Sequence, residues 1–276
     1  MDKYKKNERI AGLMYLLTNK PNQIFSYNYF SELFNIKKPS ISGDIRIIKA
    51  LVEKLDIGTI ETIPGNHGGV KFIPKGRKTE VEKLLKNLCI ELGKPERIIP
   101  GGFIYMMDIL YMPYIVKQIG TIFASEFNCE KVDAVVTIET KGIPIALMTA
   151  EILNVPLVII RKNIKITEGP TVNINYISGS TRKIQTMSLS KKSLKENSKV
   201  LIIDDFMKAG GTIKGTIEMM AEFKAEVVGV GVFLSTKKPE KKLVKDYLSL
   251  ITVEKIDEKE KEIFLKPNFG QLRQIK

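Results

Sequence analysis

The chain has 276 residues, 43% of them hydrophobic, and a formal net charge of +13. That suffices for a sizeable core divided between a large and a small domain. No apolar run reaches the roughly 18 residues of a membrane span, and the charged start MDKYKKNERI lacks the apolar centre of a secretion signal, so a cytoplasmic chain with no membrane partner is expected. Cys89 and Cys129 are the only cysteines and have no metal-ligand spacing, which argues against a disulfide framework and a metal site. The charge fits a polyanionic partner and equally a generally lysine-rich protein. Its distribution adds little: residues 1–75 hold 12 basic and 7 acidic side chains, the rest 32 and 24.

Residues 1–75 predict three short helices and a hairpin. Glu8 to Thr18 carries Ile10, Leu13, Met14 and Leu17 at helical spacing, and NKPNQ ends the run. Phe25 to Phe34 predicts a second helix with Phe30, Leu33 and Phe34 inward. Pro39 and Ser40 open a third, to about Lys54, with Ile41, Ile45, Ile48, Leu51 and Leu55 as its buried stripe. GTIETIPGNHGGVKFIP then alternates Ile60 and Ile63 against Val70 and Phe72 around a glycine-rich turn, a hairpin signature.

Three helices followed by a hairpin is the winged-helix form of helix-turn-helix, whose third helix enters a major groove while the wing touches backbone or minor groove. On this reading Lys37, Lys38 and Lys49 meet phosphates, and Ser40, Ser42 and Arg46 reach base edges or phosphates. Asn66, His67 and Lys71 belong to the wing; His67, the single histidine, sits in the glycine-rich tip with no second ligand near it. A small helical adapter with a solvated basic face is the competing reading.

A helix from Glu80 to about Leu92 is expected to link this head to the rest, with Pro95, Pro100, Gly101 and Gly102 marking a boundary. Residues 76–276 alternate buried strands (VDAVVTI, VPLVII, VLIID, VVGVGVFL) with helices around Ile143 to Leu153 and Thr212 to Lys224. That predicts an α/β fold with a doubly wound, mostly parallel sheet. Ile251 to Lys276 is lysine- and glutamate-rich and weakly patterned.

The strongest local signal is VLIIDDFMKAGGT, Val200 to Thr212. An all-apolar strand ends in Asp204 and Asp205, and a short loop with Gly210 and Gly211 opens a helix, at the edge where parallel sheets bind ligands. Adjacent glycines let N–H groups converge on an anion, and the helix start adds favourable dipole. The acids repel a phosphate but suit vicinal hydroxyls. A ribose 5-phosphate unit therefore fits, with its hydroxyls on Asp204 and Asp205 and its phosphate on Lys208, Ala209, Gly210, Gly211 and Thr212. The competing reading is a strand–helix turn whose acids cap the helix.

This segment resembles the signature for phosphoribosyl pyrophosphate (PRPP) of type I phosphoribosyltransferases. The resemblance implies a second, pyrophosphate-binding loop after the first strand, where this chain offers Glu139, Thr140, Lys141 and Gly142. It also implies a β-ribbon closing over PRPP. RKNIKITEGPTVNINYISGSTRKIQTM matches that position, with Arg161, Lys162 and Lys165 as cations, Gly179 at the tip, and Arg182 and Lys183 within reach of a pyrophosphate. A solvated charged loop is the alternative. Adenine-type transferases carry an acid and a Tyr-Gly step in this ribbon; here the stretch reads YISGS, with no Asp or Glu between Gly169 and Lys195. Lys208 and Ala209 stand where those enzymes place small residues or Thr. Loss of acid–base groups with a retained PRPP grip points to a sensor, although catalysis by positioning alone is also open.

Taken whole, the chain resembles the purine operon repressors of Gram-positive bacteria. The carriers are GTIETIPGNHGGVKFIPK, PERIIPGGFIYMMDIL, TKGIPIA, VPLVIIRK, TEGPTVNINYISGSTRKIQTMSLSK and VLIIDDFMKAGGT. The resemblance implies a homodimer that binds double-stranded operator DNA, represses purine synthesis genes and is released by PRPP, with no cofactor required. Phe103 stands where the family carries Tyr, so a hydroxyl contact is lost there, while Tyr105 keeps its own for the effector. Whether Mg2+ accompanies PRPP is open, and guanosine tetraphosphate, a pyrophosphate on a ribose, is a candidate competitor. The alternative is an active purine or xanthine phosphoribosyltransferase with a regulatory head.

Overall fold

The computed structural model describes residues 4–65, 68–127, 131–162, 169–177 and 184–273. Asn66, His67, Cys129, Lys165, Gly179, Arg182 and Lys183, all named above, lie outside these ranges. Contacts divide the chain into two compact units: Met1–Arg77 with Glu151–Asn154, and Lys78–Ala150 with Val155–Lys276.

In the first unit, α1 (Lys6–Asn19), α2 (Tyr27–Leu33) and α3 (Lys38–Leu55) precede an antiparallel hairpin of β1 (Gly58–Ile63) and β2 (Gly69–Pro74). Leu13, Leu17, Phe30, Ile41, Ile48 and Val52 are fully buried together with Ile60 and Val70 of the hairpin. Two details differ from the sequence reading. Phe25 is not helical: Ser26 caps α2 by accepting from the Tyr29 N–H, and Phe25 pairs with Val70 through two backbone bonds of 2.9 Å, giving the wing a third edge. Leu33 is accordingly exposed. On α3 the buried stripe is Ile41, Ile45, Ile48 and Val52, while Leu51 and Leu55 are exposed. A step of four from Ile48 keeps the stripe on one line; a step of three to Leu51 turns off it.

Beneath the stripe lies a buried ion pair. Arg9 of α1 donates from Nε to Asp44 of α3 at 2.8 Å, and the two residues are only 8% and 2% exposed. The pair ties the first helix to the third, and its charges leave water only because each satisfies the other.

The second unit is built on one six-stranded sheet of order β12-β11-β10-β9-β5-β6. Its strands are β5 (Ala134–Ile138), β6 (Leu157–Ile160), β9 (Lys199–Met207), β10 (Glu226–Thr236), β11 (Leu248–Asp257) and β12 (Glu262–Pro267). All pairings are parallel except β11–β12. The weakly patterned tail is thus two paired strands. They escaped notice because the buried positions, Ser249, Leu250, Ile251, Val253 and Ile263, make no long apolar run and the outward positions carry the charges.

Period-two alternation along β9 and β10 gives the sheet two apolar faces. Val200, Ile202, Val230 and Val232 pack with Ile213, Met219 and Met220 of α8 (Gly211–Glu222). Leu201 and Ile203 lie on the other face, where Phe123 and Phe127 of α6 (Pro113–Phe127) sit over Gly231 and Gly229. α7 (Ile143–Leu153) follows β5. α4 (Lys78–Leu92), expected as a linker, belongs to the second unit and buries Val81, Leu85, Leu88 and Leu92. The Pro-Gly tract is likewise internal to this unit: Gly101 and Gly102 turn the chain between β3 (Ile98–Ile99) and β4 (Phe103–Ile104), before the short α5 (Met107–Leu110). Between β6 and β9 runs an in-register antiparallel ribbon, β7 (Thr171–Ile177) with β8 (Ile184–Ser190).

Removing one member of the Arg9–Asp44 pair strands a buried charge. Asp44→Ala is expected to destabilise the head by about 3–5 kcal/mol in urea unfolding, whereas replacing both partners by apolar side chains restores most of the loss. A single-variant loss under about 1 kcal/mol would exclude the pair as a structural determinant.

Candidate functional site

β9 is a central strand, flanked in parallel by β5 and β10, and its apolar run ends at Asp204 and Asp205. Asp204 is only 6% exposed, and its Oδ1 accepts the Asp205 N–H at 2.9 Å. Burial and the neighbouring Asp205 charge push the Asp204 carboxyl well above the ordinary carboxylate range. Burial also raises Asp205, partly offset by its hydrogen bond with Asp204 and by Lys141 and Lys162. The pair therefore retains a proton where an isolated aspartate has lost it, and it titrates as one unit.

After the acids the chain turns through Lys208 and Ala209 into α8. Gly210 has φ 87°, a left-handed conformation that side chains disfavour, and Gly211 opens the helix. Residues 206–213 line a cup of about 70 Å3. The end of β5 meets the acids from the other side. A Cβ on Gly142 would lie 2.6 Å from Thr137 Oγ1 and 3.0 Å from Asp204 Oδ1, so only glycine lets this turn rest on the acid pair. Thr137 Oγ1 is buried there with no hydrogen-bond partner among the described residues. The Glu139–Thr140 peptide is cis. Glu139 accepts the Lys162 backbone N–H at 2.6 Å and the Arg161 guanidinium at 3.3 Å, which joins the exits of β5 and β6.

These loops frame a cavity of about 500 Å3 lined by Glu139, Thr140, Lys141, Lys162, Asp204, Asp205 and Thr212 on its polar side. The rest of its lining is an apolar wall: Ile99, Phe103, Ile104, Met106 and Met107, with Ile138 and Phe206. The wall is held from behind by Arg97. The Arg97 guanidinium donates to both Asp108 oxygens at 2.8 Å, to Glu91 at 2.6 Å and to the Tyr105 carbonyl at 3.0 Å. Asp108 is held below its ordinary range chiefly by that bond with Arg97. The ribbon rests on α8: a Cβ on Gly215 would meet Tyr176 Cβ at 2.9 Å, and the Tyr176 hydroxyl donates to Gln185 Oε1 at 2.7 Å.

Of the effector residues named from sequence, Thr140, Lys141, Lys162, Asp204, Asp205 and Thr212 line the one cavity. Gly142 supports it, and Lys208, Ala209, Gly210 and Gly211 form the adjoining cup. Arg161 points to Glu139 and is absent from the cavity wall. Tyr105 is exposed and also absent from the wall, where Phe103 and Met106 stand on either side of it in sequence. Sequence reasoning missed the clamp at Arg97 and the apolar wall; the apolar cluster of Phe103, Ile104, Met106 and Met107 was the available signal. In the head, Lys38, Ser42, Arg46 and Lys49 follow one line of α3 beside the core stripe, at spacings of four, four and three. Lys37 is exposed at the N-cap. Ser40 falls on the opposite flank, with exposed Ile47 and Leu51. Lys71 lies in the wing, paired with Glu61 at 3.1 Å.

A three-helix head with a β wing, and a parallel sheet bearing an acid pair and a glycine loop at its carboxyl edge, define a winged-helix protein with a phosphoribosyltransferase-type domain. Residues 5–74 match the family described as "Bacterial purine repressor, N-terminal", and residues 107–266 match "Phosphoribosyl transferase domain". The chain is 48% identical over 261 residues to the purine biosynthesis transcriptional repressor PurR of Bacillus subtilis (strain 168), covering 95% of this chain and 92% of that protein. It belongs to the bacterial purine repressor family. The purine biosynthesis transcriptional activator PurR of Lactococcus lactis subsp. lactis is 44% identical, over 92% of this chain and 93% of that one. A xanthine phosphoribosyltransferase of Lactococcus lactis subsp. cremoris is 36% identical over 52% of this chain and 74% of its own length. The fold also aligns with a crystal structure of adenine phosphoribosyltransferase from Thermoanaerobacter pseudethanolicus, with TM-score 0.52 and 20% identity, over 61% of this chain and 99% of that one.

The raised carboxyl of Asp204 has a consequence for stability. A group that holds its proton more tightly when folded contributes fully below its ordinary pKa of 3.8, and that contribution is lost as the pH rises through the folded value. Asp204→Asn removes this loss. Its thermal midpoint is expected to exceed that of the parent by a margin that widens as the pH rises above the ordinary carboxylate value of 3.8. A constant or shrinking margin over that range contradicts the assignment.

Proposed function

We propose that this chain is a DNA-binding repressor of purine synthesis genes and that PRPP relieves its hold on operator DNA. The observation that carries the reading is the division of one cavity into an acid-and-cation side and an apolar wall. The polar side matches PRPP part by part. Asp204 and Asp205 accept from the ribose hydroxyls. The cup at Lys208–Thr212 takes the 5-phosphate, aided by the start of α8. Lys141, Lys162 and the turn at Thr140 and Gly142 face the pyrophosphate. Mg2+ accompanying PRPP is part of the proposal, in which Asp204 and Asp205 would be the residues to hold it and it would supply counter-charge to the pyrophosphate; guanosine tetraphosphate competes through the same loops.

The apolar wall supports a sensor over an enzyme. Ile99, Phe103, Ile104, Met106 and Met107 offer a purine no polar side-chain atom for reading its edge. The ribbon has no acid between Gly169 and Lys195 to move a proton. The enzyme reading keeps one favourable observation, the intact acid pair and phosphate cup, and PRPP consumption measured with each purine base tests it. The relatives' names include both repressor and activator. The sign of control follows from where the operator lies relative to the promoter, so operator release by PRPP is the property of this chain itself. A homodimer placing two heads on a two-fold operator, working in the cytoplasm, completes the proposal.

Operator binding measured with and without PRPP is the decisive experiment. PRPP is expected to weaken DNA binding, and DNA to weaken PRPP binding by the same factor, a coupling of about 1–3 kcal/mol. Asp204→Ala with Asp205→Ala is expected to abolish the response and leave DNA affinity in place. Equal PRPP affinity for the free and the DNA-bound protein rejects the proposal.

For the head, Arg46→Ala and Lys38→Ala are expected to weaken operator binding and to reduce the slope of log K against log salt by about 0.9 for each lost phosphate contact. Unchanged affinity and slope in both variants would remove α3 as the DNA-facing helix.

A further inference from the structure

The segment after β10 carries the run KKPEKKLVK, Lys237 to Lys245, whose composition suggests a solvated basic loop. One of its lysines behaves otherwise. The Lys242 ammonium is partly buried and donates to the Lys208 carbonyl at 2.5 Å, the Thr236 carbonyl at 2.6 Å and Thr236 Oγ1 at 3.2 Å. All three acceptors are neutral oxygens, and among the described residues it has no carboxylate partner. One residue on, the Leu243 N–H donates to the Ala209 carbonyl at 2.9 Å. Two successive peptides of the phosphate cup are thus held by the same strap, from outside the cavity.

We infer that Lys242 is a positioning residue for the cup, fixing and polarising it for the 5-phosphate without touching the ligand. Each gripped carbonyl belongs to a planar peptide whose N–H points the opposite way, so a donor on Lys208 O and another on Ala209 O strengthen the N–H groups of Ala209 and Gly210 as donors to an anion. The ammonium also contributes a positive charge beside the cup that no acid among the described residues pairs with. Burial of that cation is unfavourable in the empty protein and lowers its pKa. An anion in the cup offsets that cost.

The inference rests on the proposed function, and two probes separate the failures. Ribose 5-phosphate and inorganic pyrophosphate are titrated calorimetrically into the full chain and into Lys242→Met and Lys242→Arg. Lys242→Met is expected to weaken ribose 5-phosphate about tenfold, through loss of the bond that positions the Lys208 peptide, while pyrophosphate, seated at Lys141 and Lys162, changes by less than about twofold. Lys242→Arg is expected to recover most of the loss. Retained pyrophosphate binding shows that Lys242→Met folds. Unchanged ribose 5-phosphate affinity in Lys242→Met overturns the inference, and so does an equal loss for both probes, which marks a general scaffold role. A parent protein that binds neither probe overturns the proposed function itself.

Discussion

Burying Asp204 and Asp205 side by side at the end of β9 opposes folding, because each carboxylate loses water and faces a like charge. The surrounding structure answers that constraint. A retained proton removes one charge, Asp204 accepts the Asp205 N–H, and the fields of Lys141 and Lys162 temper Asp205. Gly142 lets the neighbouring turn settle against Asp204, where any side chain would collide. The strand order matters too: β9 lies between β5 and β10, so its carboxyl end opens beside the β5 turn, and the two loops converge on one cavity. The arrangement is held in an unfavourable state that a ligand supplying hydroxyl donors and counter-charge relieves.

Much of this was legible in the sequence. All-apolar runs mark the central strands, since a strand covered on both faces has no polar positions to show. The acid pair and adjacent glycines stand out because they interrupt such a run abruptly. What was hidden depends on partners distant in sequence. Arg97 sits in a Pro- and Gly-punctuated stretch with no period, and its role follows from Glu91 and Asp108 meeting it on either side. Lys242 lies in a charge run, where composition argues for solvent. β11 and β12 bury too few positions to announce a pattern. In the head, the helical period was clear, yet the final turns of α3 were assigned by hydrophobicity where angle decides: Val52 is buried and Leu51 is not.

The head and the sheet solve similar problems with different economy. Arg9 and Asp44 are fully enclosed and cross-link helices that a small core holds weakly. The second unit has a large two-faced core, braces it with the buried Arg97 pairs, and places Lys141, Lys162, Asp204 and Asp205 at one cavity. Stability and ligand recognition are thus drawn from separate residues, and a change at the rim leaves most of the sheet untouched.

The Arg97 clamp has an implication for how such a pocket changes its preferences. Its partners Glu91, Asp108 and the Tyr105 carbonyl are absent from the cavity lining, which Ile99, Phe103 and Met107 help to supply. Support and lining are therefore independent. The lining can be exchanged, residue by residue, without loosening the frame that holds it. A lineage or a designer can retarget the chamber to a bulkier or more polar guest by rewriting a few side chains, and the same bracket serves every version.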